Sequence, residues 1–128
     1  MAYKVLVVDD EKDIVELLRV KLVKEGYDVV VAYDGEEALK KVKDDNPDII
    51  LLDLMLPKRN GFEVLKEVRS KFTDKWRPII IISGKTDLET VKECYGCEAD
   101  HYLTKPCSPE DVLRGIRIMI SLIPHRQK

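Results

Sequence analysis

Short apolar runs alternate regularly with longer amphipathic segments along this chain, and this alternation limits the folds that it can adopt. The five apolar runs are Lys4–Val8, Asp28–Ala32, Asp48–Leu52, Pro78–Ile82 and His101–Thr104. The first, third and fourth runs are mostly β-branched and almost continuously apolar, which predicts strands buried on both faces. The second and fifth runs are shorter or more polar, so we expect them at the edges of a sheet.

The segments between the runs carry the signals of helix ends. Asp34, Thr86 and Ser108 each stand three positions before an acidic residue, which predicts a capped helix start, and Pro109 suits the first helical position. Gly26 is placed to end the first helix in a left-handed conformation. Apolar residues at helical spacing predict the buried faces of the first helix (Ile14, Leu17, Leu18, Leu22) and of the last (Val112, Leu113, Ile116, Met119, Ile120, Ile123).

Alternating strands and helices with buried strands require a parallel sheet that is covered by helices on both faces. Five such units predict a doubly wound, flavodoxin-like α/β domain of the (βα)5 type, with strand order 2-1-3-4-5. Ligands of this fold bind beyond the carboxyl ends of the strands, where the order reverses between strands 1 and 3. The chain length suits one domain over residues 1–128, with a core of about 3–123.

Charge and composition exclude several classes of protein. The chain has 22 Lys and Arg against 24 Asp and Glu, a net charge of −2, so we expect no direct binding of nucleic acid, which needs a clustered basic excess. Its apolar runs are far shorter than the roughly 20 residues of a membrane span. The start lacks the apolar region of a signal peptide, and the 3 cysteines are too few for a disulfide scaffold, so we expect a cytoplasmic protein.

Polar side chains follow four of the five runs. Asp9 and Asp10 come after the first, Asp53 after the third, Ser83 after the fourth and Lys105 after the fifth. Helix capping explains one such residue, but three carboxylates at one edge need a bound cation or raised pKa values. Oxygen ligands without His or Cys favour Mg²⁺ over a dedicated Ca²⁺ cage. An aspartate beside a cation, a lysine and a hydroxyl could be a nucleophile that forms an aspartyl-phosphate.

Four motifs together give the chain a resemblance to a known family. They are Val7–Glu11 (VVDDE), Asp53–Gly61 (DLMLPKRNG), Ile81–Ser83 (IIS) and Tyr102–Pro106 (YLTKP). Over residues 3–123 the chain resembles the receiver domains of bacterial two-component response regulators. The resemblance implies a signalling domain that is phosphorylated, and not an enzyme that acts on a separate substrate. Such a domain catalyses only its own phosphoryl transfer and dephosphorylation.

The resemblance also implies a role for each acidic residue. Asp53 is expected to accept the phosphoryl group from the phosphohistidine of a sensor histidine kinase or of a phosphotransfer protein. Asp10 and Asp53 are expected to bind Mg²⁺ directly, together with the backbone carbonyl of Met55. Asp9 is expected to act on the ion mainly through water.

By the same resemblance, Ser83 and Lys105 hold the phosphoryl oxygens, and the peptide bond from Lys105 to Pro106 is expected to be cis. Phosphorylation is expected to draw Ser83 toward the phosphoryl group and to turn Tyr102 inward. That movement would alter the surface of the fourth helix, fifth strand and fifth helix. A downstream protein, a separate effector domain or a phosphorylation-linked dimer would recognise it. The alternative for Tyr102 is a static, half-buried side chain.

Three residues depart from the pattern of that family. Gly84 stands where Ala is common and adds backbone freedom, while Cys107 replaces a common Phe and predicts looser packing. Glu98 stands where Gly is usual, so either it adopts a positive φ or the end of the fourth helix is rebuilt.

Cys94 and Cys97 form a Cys-x-x-Cys motif that allows other functions. A redox pair should open a helix, whereas this motif closes one. With His101 and Cys107 the pair could nominally supply four zinc ligands of a binding module, at the cost of distorting the site. Reduced thiols near a helix end are the favoured interpretation.

Two enzyme-like alternatives share the fold class. An aspartyl-phosphate phosphatase of the haloacid-dehalogenase kind needs a second Asp two residues after its nucleophile, where this chain has Met55. A flavodoxin needs a first loop rich in hydroxyls and glycines to bind the FMN phosphate. The acidic segment Asp9–Asp13 would repel that phosphate.

Overall fold

The structure is a computed structural model and describes residues 2–126. Strands and helices alternate throughout this part of the chain, as predicted, with five of each. In chain order they are β1 (Lys4–Val8), α1 (Lys12–Lys24), β2 (Asp28–Ala32), α2 (Gly35–Asp45), β3 (Ile49–Leu52), α3 (Gly61–Lys71), β4 (Ile79–Ser83), α4 (Leu88–Gly96), β5 (His101–Thr104) and α5 (Pro109–Arg126). Of the domain predicted over residues 1–128, residues 1, 127 and 128 lie outside the described part.

The five strands form one sheet in the order β2-β1-β3-β4-β5, and every pairing is parallel, which confirms the predicted fold class. Lys4 of β1 pairs with Asp28 of β2, while Val5 pairs with Ile49 of β3 on the other side. Every residue of β3 and β4 is buried, whereas β2 and β5 are partly exposed at the edges. The strand order therefore reverses beside β1 and β3, where a ligand site is expected.

Each face of the sheet supports its own hydrophobic core, because successive side chains of a strand point to opposite faces. On one face, α2, α3 and the end of α4 pack against strand residues that include Leu6, Val8, Ile50 and Leu52. On the other face, α1 and α5 pack against Val5, Val7, Ile49 and Leu51. This double burial explains why β3 is apolar at every position, and why β1 and β4 carry a polar residue only at one end, Lys4 and Ser83.

The predicted helix starts are right for two helices and wrong by one residue for α4. Asp34 and Ser108 cap α2 and α5. The cap of α4 is Asp87 and not Thr86, because the Asp87 carboxylate accepts hydrogen bonds from both the backbone N–H and the hydroxyl of Thr90. A carboxylate that satisfies two donors is the better cap at this position.

The predicted buried stripe of α1 contains one error. Leu17 is 58% exposed, while Val15 is 1% exposed and packs against the sheet with Leu18 and Leu22. Positions 15, 18 and 22 share one helix face, and Leu17 lies about 100° around the helix from Leu18. The predicted stripe therefore included a residue on the flank of α1.

The last helix extends past the predicted core boundary at residue 123. It continues through Pro124 to Arg126, whose guanidinium lies 4.2 Å from the centre of the Trp76 ring. A cation over an aromatic face is an attractive contact. The end of α5 therefore packs against the connection between α3 and β4. Among residues 2–126, no helix is long and apolar enough to span a membrane.

The special backbone positions agree with the sequence analysis. Gly26 follows the end of α1 with a φ of +94°, in the left-handed region. Glu98 has a φ of +68°, so this non-glycine residue adopts the left-handed conformation. The peptide bond between Lys105 and Pro106 is cis, as the resemblance implied.

Candidate functional site

The carboxyl ends of β1, β3 and β5 bring two buried aspartates and one lysine into direct contact. Asp9 and Asp53 are 4% and 5% exposed. The Lys105 Nζ lies 2.8 Å from Asp9 Oδ2, 3.0 Å from Asp53 Oδ2 and 3.3 Å from Glu11 Oε1. One ammonium group therefore faces three carboxylates, and the site keeps an excess of negative charge.

Asp10 completes a cluster that fits a hard cation. Carboxylate oxygens of Asp9, Asp10 and Asp53 lie within 4.8 Å of one another. In residues 2–126 this is the only group of three or more His, Cys, Asp or Glu side chains arranged to share an ion. An all-oxygen donor set with one exposed member suits Mg²⁺, which keeps several waters.

Backbone N–H groups orient the two buried aspartates in the same way. The N–H of Glu11 donates to Asp9 Oδ1 at 2.9 Å, and the N–H of Met55 donates to Asp53 Oδ1 at 3.0 Å. In each case the donor is two residues after the aspartate, as in an Asx turn. One oxygen of each carboxylate is thus held by the loop, and the other faces Lys105.

Burial and ion pairing change the proton affinities of these groups. Burial raises the pKa of the Asp53 carboxyl above its ordinary value, and the hydrogen bonds from Met55 and Lys105 only partly offset this rise. Burial acts to lower the pKa of the Lys105 ammonium, but its contacts with Asp9 and Asp53 hold that pKa above the ordinary value. Lys105 is therefore a permanent positive charge beside Asp53 at neutral pH.

Ser83 and Tyr102 are connected through the backbone of Lys85. The Lys85 N–H donates to Ser83 Oγ at 3.2 Å, and the Tyr102 hydroxyl donates to the Lys85 carbonyl at 2.7 Å. Ser83 is buried at the end of β4, and the ring of Tyr102 packs against the core on the α2–α4 side of the sheet. A movement of the β4–α4 loop would therefore affect both side chains together.

An apolar cavity of about 420 Å³ lies between α1 and α5, directly beside Asp9 and Asp53. Its walls include Ile14 and Leu18 of α1 and Val112 of α5. Cys107 forms another part of the wall, in agreement with the loose packing that its small side chain predicts. The side of the carboxylates that faces α1 and α5 is therefore lined mainly by apolar side chains.

The cysteine motif has the properties of structural thiols. Cys94 is fully buried in the last turn of α4, and Cys97 is the C-cap residue of that helix. Burial raises the pKa of the Cys94 thiol to about 11, whereas a redox cysteine needs a lowered pKa. Cys94, Cys97, His101 and Cys107 do not form a shared metal-ligand group within residues 2–126.

The aspartates and Lys105 lie together as the sequence predicts, but the contact between Lys105 and Glu11 is not predicted by it. Glu11 is 94 positions away from Lys105, so no local pattern connects them. The one sequence feature that could have indicated this contact is the residue type at the start of α1. Short capping side chains are usual at that position, and Glu11 is a longer glutamate.

Comparisons with known proteins agree on one family. The family model of the response regulator receiver domain matches residues 5–117. The receiver domain of the Francisella response regulator 1452 is 35% identical, with a TM-score of 0.86 over 93% of this chain and 97% of that one. The Vibrio cholerae chemotaxis protein CheY4 is 34% identical, with a TM-score of 0.87 over 93% of this chain and 99% of that one. A CheY-like receiver domain protein from Methanospirillum hungatei is 27% identical, with a TM-score of 0.89 over 98% of each chain.

Proposed function

The chain belongs to the response regulator receiver domains of two-component signalling, and from that membership we propose that Asp53 is its phosphoacceptor. The observation that carries the proposal is the position of the Asp53 carboxylate. It is buried at the sheet edge, 3.0 Å from the Lys105 ammonium, and shares a cation-sized cluster with Asp9 and Asp10. A nucleophile for phosphoryl transfer needs such positioning and nearby positive charge.

The phosphoryl donor is a phosphohistidine of a sensor histidine kinase or of a phosphotransfer protein. A carboxylate oxygen of Asp53 forms a bond to phosphorus as the phosphorus–nitrogen bond of the donor breaks. The electron pair of that bond stays on the imidazole nitrogen, which takes a proton from water. The Met55 N–H keeps the Asp53 carboxylate in one orientation, and Lys105 offsets the negative charge of the phosphoryl oxygens.

Asp9, Asp10 and Asp53 would hold Mg²⁺, with the Met55 backbone carbonyl as a further ligand. The bound ion supplies charge neutralisation for the oxygens of the transferring phosphoryl group. The chain's own contribution is to hold the carboxylates at one place, with Asp9 mainly engaged by Lys105 and by the loop. The domain also catalyses its own dephosphorylation: water attacks phosphorus, and the bond to the Asp53 oxygen breaks.

The output of phosphorylation runs through Ser83 and Tyr102. Ser83 binds a phosphoryl oxygen, and the shared contact with Lys85 passes the movement to Tyr102. The responding surface is that of α4, β5 and α5, where a downstream protein, an effector domain or a second phosphorylated copy binds. We therefore propose that the domain acts in the cytoplasm.

Incubation with acetyl phosphate and Mg²⁺ tests the assignment, because this donor replaces the kinase and releases acetate. Intact-mass spectrometry is expected to show one added phosphoryl group on the wild type and on Asp13→Asn, an exposed control in α1. Asp53→Asn is expected to gain none, and chelation of Mg²⁺ is expected to abolish the gain in the wild type and in Asp13→Asn. An equal gain in Asp53→Asn would refute the phosphoacceptor.

A further inference from the structure

Glu11 stands at the start of α1 but does not act as a helix cap. It is the N-cap residue, with extended backbone angles, and its side chain accepts no capping hydrogen bond. The three helices that follow begin instead with a capping side chain, from Asp34, Asn60 and Asp87. Helix α1 therefore lacks the stabilising side-chain cap that α2, α3 and α4 have.

The Glu11 side chain turns instead to the candidate site. Its Oε1 lies 3.3 Å from Lys105 Nζ, although Glu11 is 60% exposed and could stay in solvent. An ammonium group has three N–H donors, and Lys105 directs them at Asp9, Asp53 and Glu11.

The three acceptors of Lys105 differ in one respect. Asp9 and Asp53 also belong to the cluster that fits a cation, whereas Glu11 does not. A divalent ion on Asp9 and Asp53 would repel the nearby ammonium and compete for the same oxygens. Glu11 is the acceptor of Lys105 that remains available when the ion is bound.

We propose that Glu11 is a positioning residue that holds the Lys105 ammonium on the α1 side of the site, so that Asp9 and Asp53 can bind a divalent cation while Lys105 stays beside Asp53. This inference deepens the proposed function and rests on it for the identity of the ion as Mg²⁺. The positioning role itself rests on geometry: Lys105 contacts Asp9, Asp53 and Glu11, and of these three only Glu11 lies outside the cluster that fits a cation.

Binding of Mn²⁺, followed by electron paramagnetic resonance as a substitute for Mg²⁺, gives the direct test. Glu11→Gln keeps the length of the side chain and removes its charge, so Lys105 falls back on Asp9 and Asp53. We expect the dissociation constant for Mn²⁺ to rise about fivefold. Asp13→Asn makes the same charge change at an exposed position, the second residue of α1. This control is expected to raise the dissociation constant for Mn²⁺ less than about twofold.

A double-mutant cycle separates positioning from the general loss of a negative charge. In a Lys105→Met background no ammonium remains to be positioned, so Glu11→Gln is expected to change Mn²⁺ affinity no more than Asp13→Asn does. An undiminished effect in that background would overturn the proposal. So would equal effects of Glu11→Gln and Asp13→Asn in the wild type, or a wild type that binds no Mn²⁺.

Glu11→Ser excludes a purely structural role. Serine is a good N-cap, so this variant is expected to keep or raise the melting temperature while it weakens Mn²⁺ binding as Glu11→Gln does. If Mn²⁺ affinity instead follows the melting temperature across both variants, Glu11 acts only on the helix and the proposal fails.

Failure of this inference is distinguishable from failure of the proposed function. If acetyl phosphate labels the wild type but not Asp53→Asn, while Glu11→Gln binds Mn²⁺ like Asp13→Asn, the inference alone is wrong. If nothing is labelled but the Lys105-dependent effect of Glu11→Gln is present, the positioning role is supported and the phosphoacceptor is wrong.

Discussion

At the scale of single residues, the site buries charged side chains, those of Asp9 and Asp53, at positions where a protein interior usually holds apolar ones. Asp53 is buried although its pKa is raised by that burial, so its ionised form costs stability at neutral pH. Lys105 offsets only part of this cost, because it is shared with Asp9 and Glu11. Such a cost at one buried residue is typical of a residue retained for function.

Replacing Asp53 with Asn is therefore expected to stabilise the fold. With a chelator present at pH 7, we expect thermal unfolding of Asp53→Asn about 3 °C above the wild type. A raised pKa means that the native state binds the proton more readily, so the cost is present above that pKa and is lost as the pH falls toward the ordinary value of about 4. The gain should shrink over this range. A gain that grows on acidification would contradict the argument.

At the scale of elements, the end of α4 shows how a strained residue is held by its neighbours. Glu98 has a φ of +68°, and its carbonyl accepts a hydrogen bond from Arg69 Nε at 2.9 Å. Arg69 also pairs with Asp100, so α3 holds the connection from α4 to β5. The first contact uses the backbone carbonyl of Glu98, and neither contact depends on the Glu98 side chain.

Glu98→Gly is expected to stabilise the protein by about 0.5 kcal/mol, because relief of the left-handed strain exceeds the added entropy of the unfolded chain. Chemical denaturation measures the change. The matched control is Glu93→Gly, an exposed position within α4, which is expected to lose about 1 kcal/mol. A loss in both variants would show that Glu98 carries no strain.

At the scale of the whole molecule, the two ends of the sheet have different roles. The carboxyl ends of the strands carry the acidic cluster, and the opposite end is held together by the buried Arg77. Its guanidinium donates to the carbonyls of Pro47 and Phe72 and contacts Asn46 and Asp74. These contacts join the loops that precede β3 and β4, so one arginine aligns these two neighbouring strands.

Arg77→Met is expected to cost about 3 kcal/mol in the free energy of unfolding, because buried carbonyls lose their donors. Urea denaturation measures this loss. Arg114→Met removes an exposed arginine paired with Asp111 and is expected to cost less than about 0.5 kcal/mol. Both variants should still accept a phosphoryl group from acetyl phosphate under folding conditions. Loss of labelling in folded Arg77→Met would show that the two ends are coupled.

The strands, the helices, the strand order and the members of the acidic cluster could all be predicted from the sequence. These depend on local features: the period of the apolar residues, the helix-end residues, and the polar residues that follow each strand. Because the carboxyl ends of parallel strands meet at one edge of the sheet, the residues that follow the strands, including Asp10, Asp53 and Lys105, could be predicted to lie together there.

Two kinds of detail depend on the packed structure: which of two neighbouring residues faces the core or caps a helix, and which distant charged residues are in contact. Val15 is buried in place of Leu17, and Asp87 caps α4 in place of Thr86, because helix rotation and loop path depend on packing against the sheet. The contact of Glu11 with Lys105 joins residues 94 positions apart. Such a contact arises only when β1 and β5 are aligned in one sheet, and no local pattern in the sequence encodes that distance.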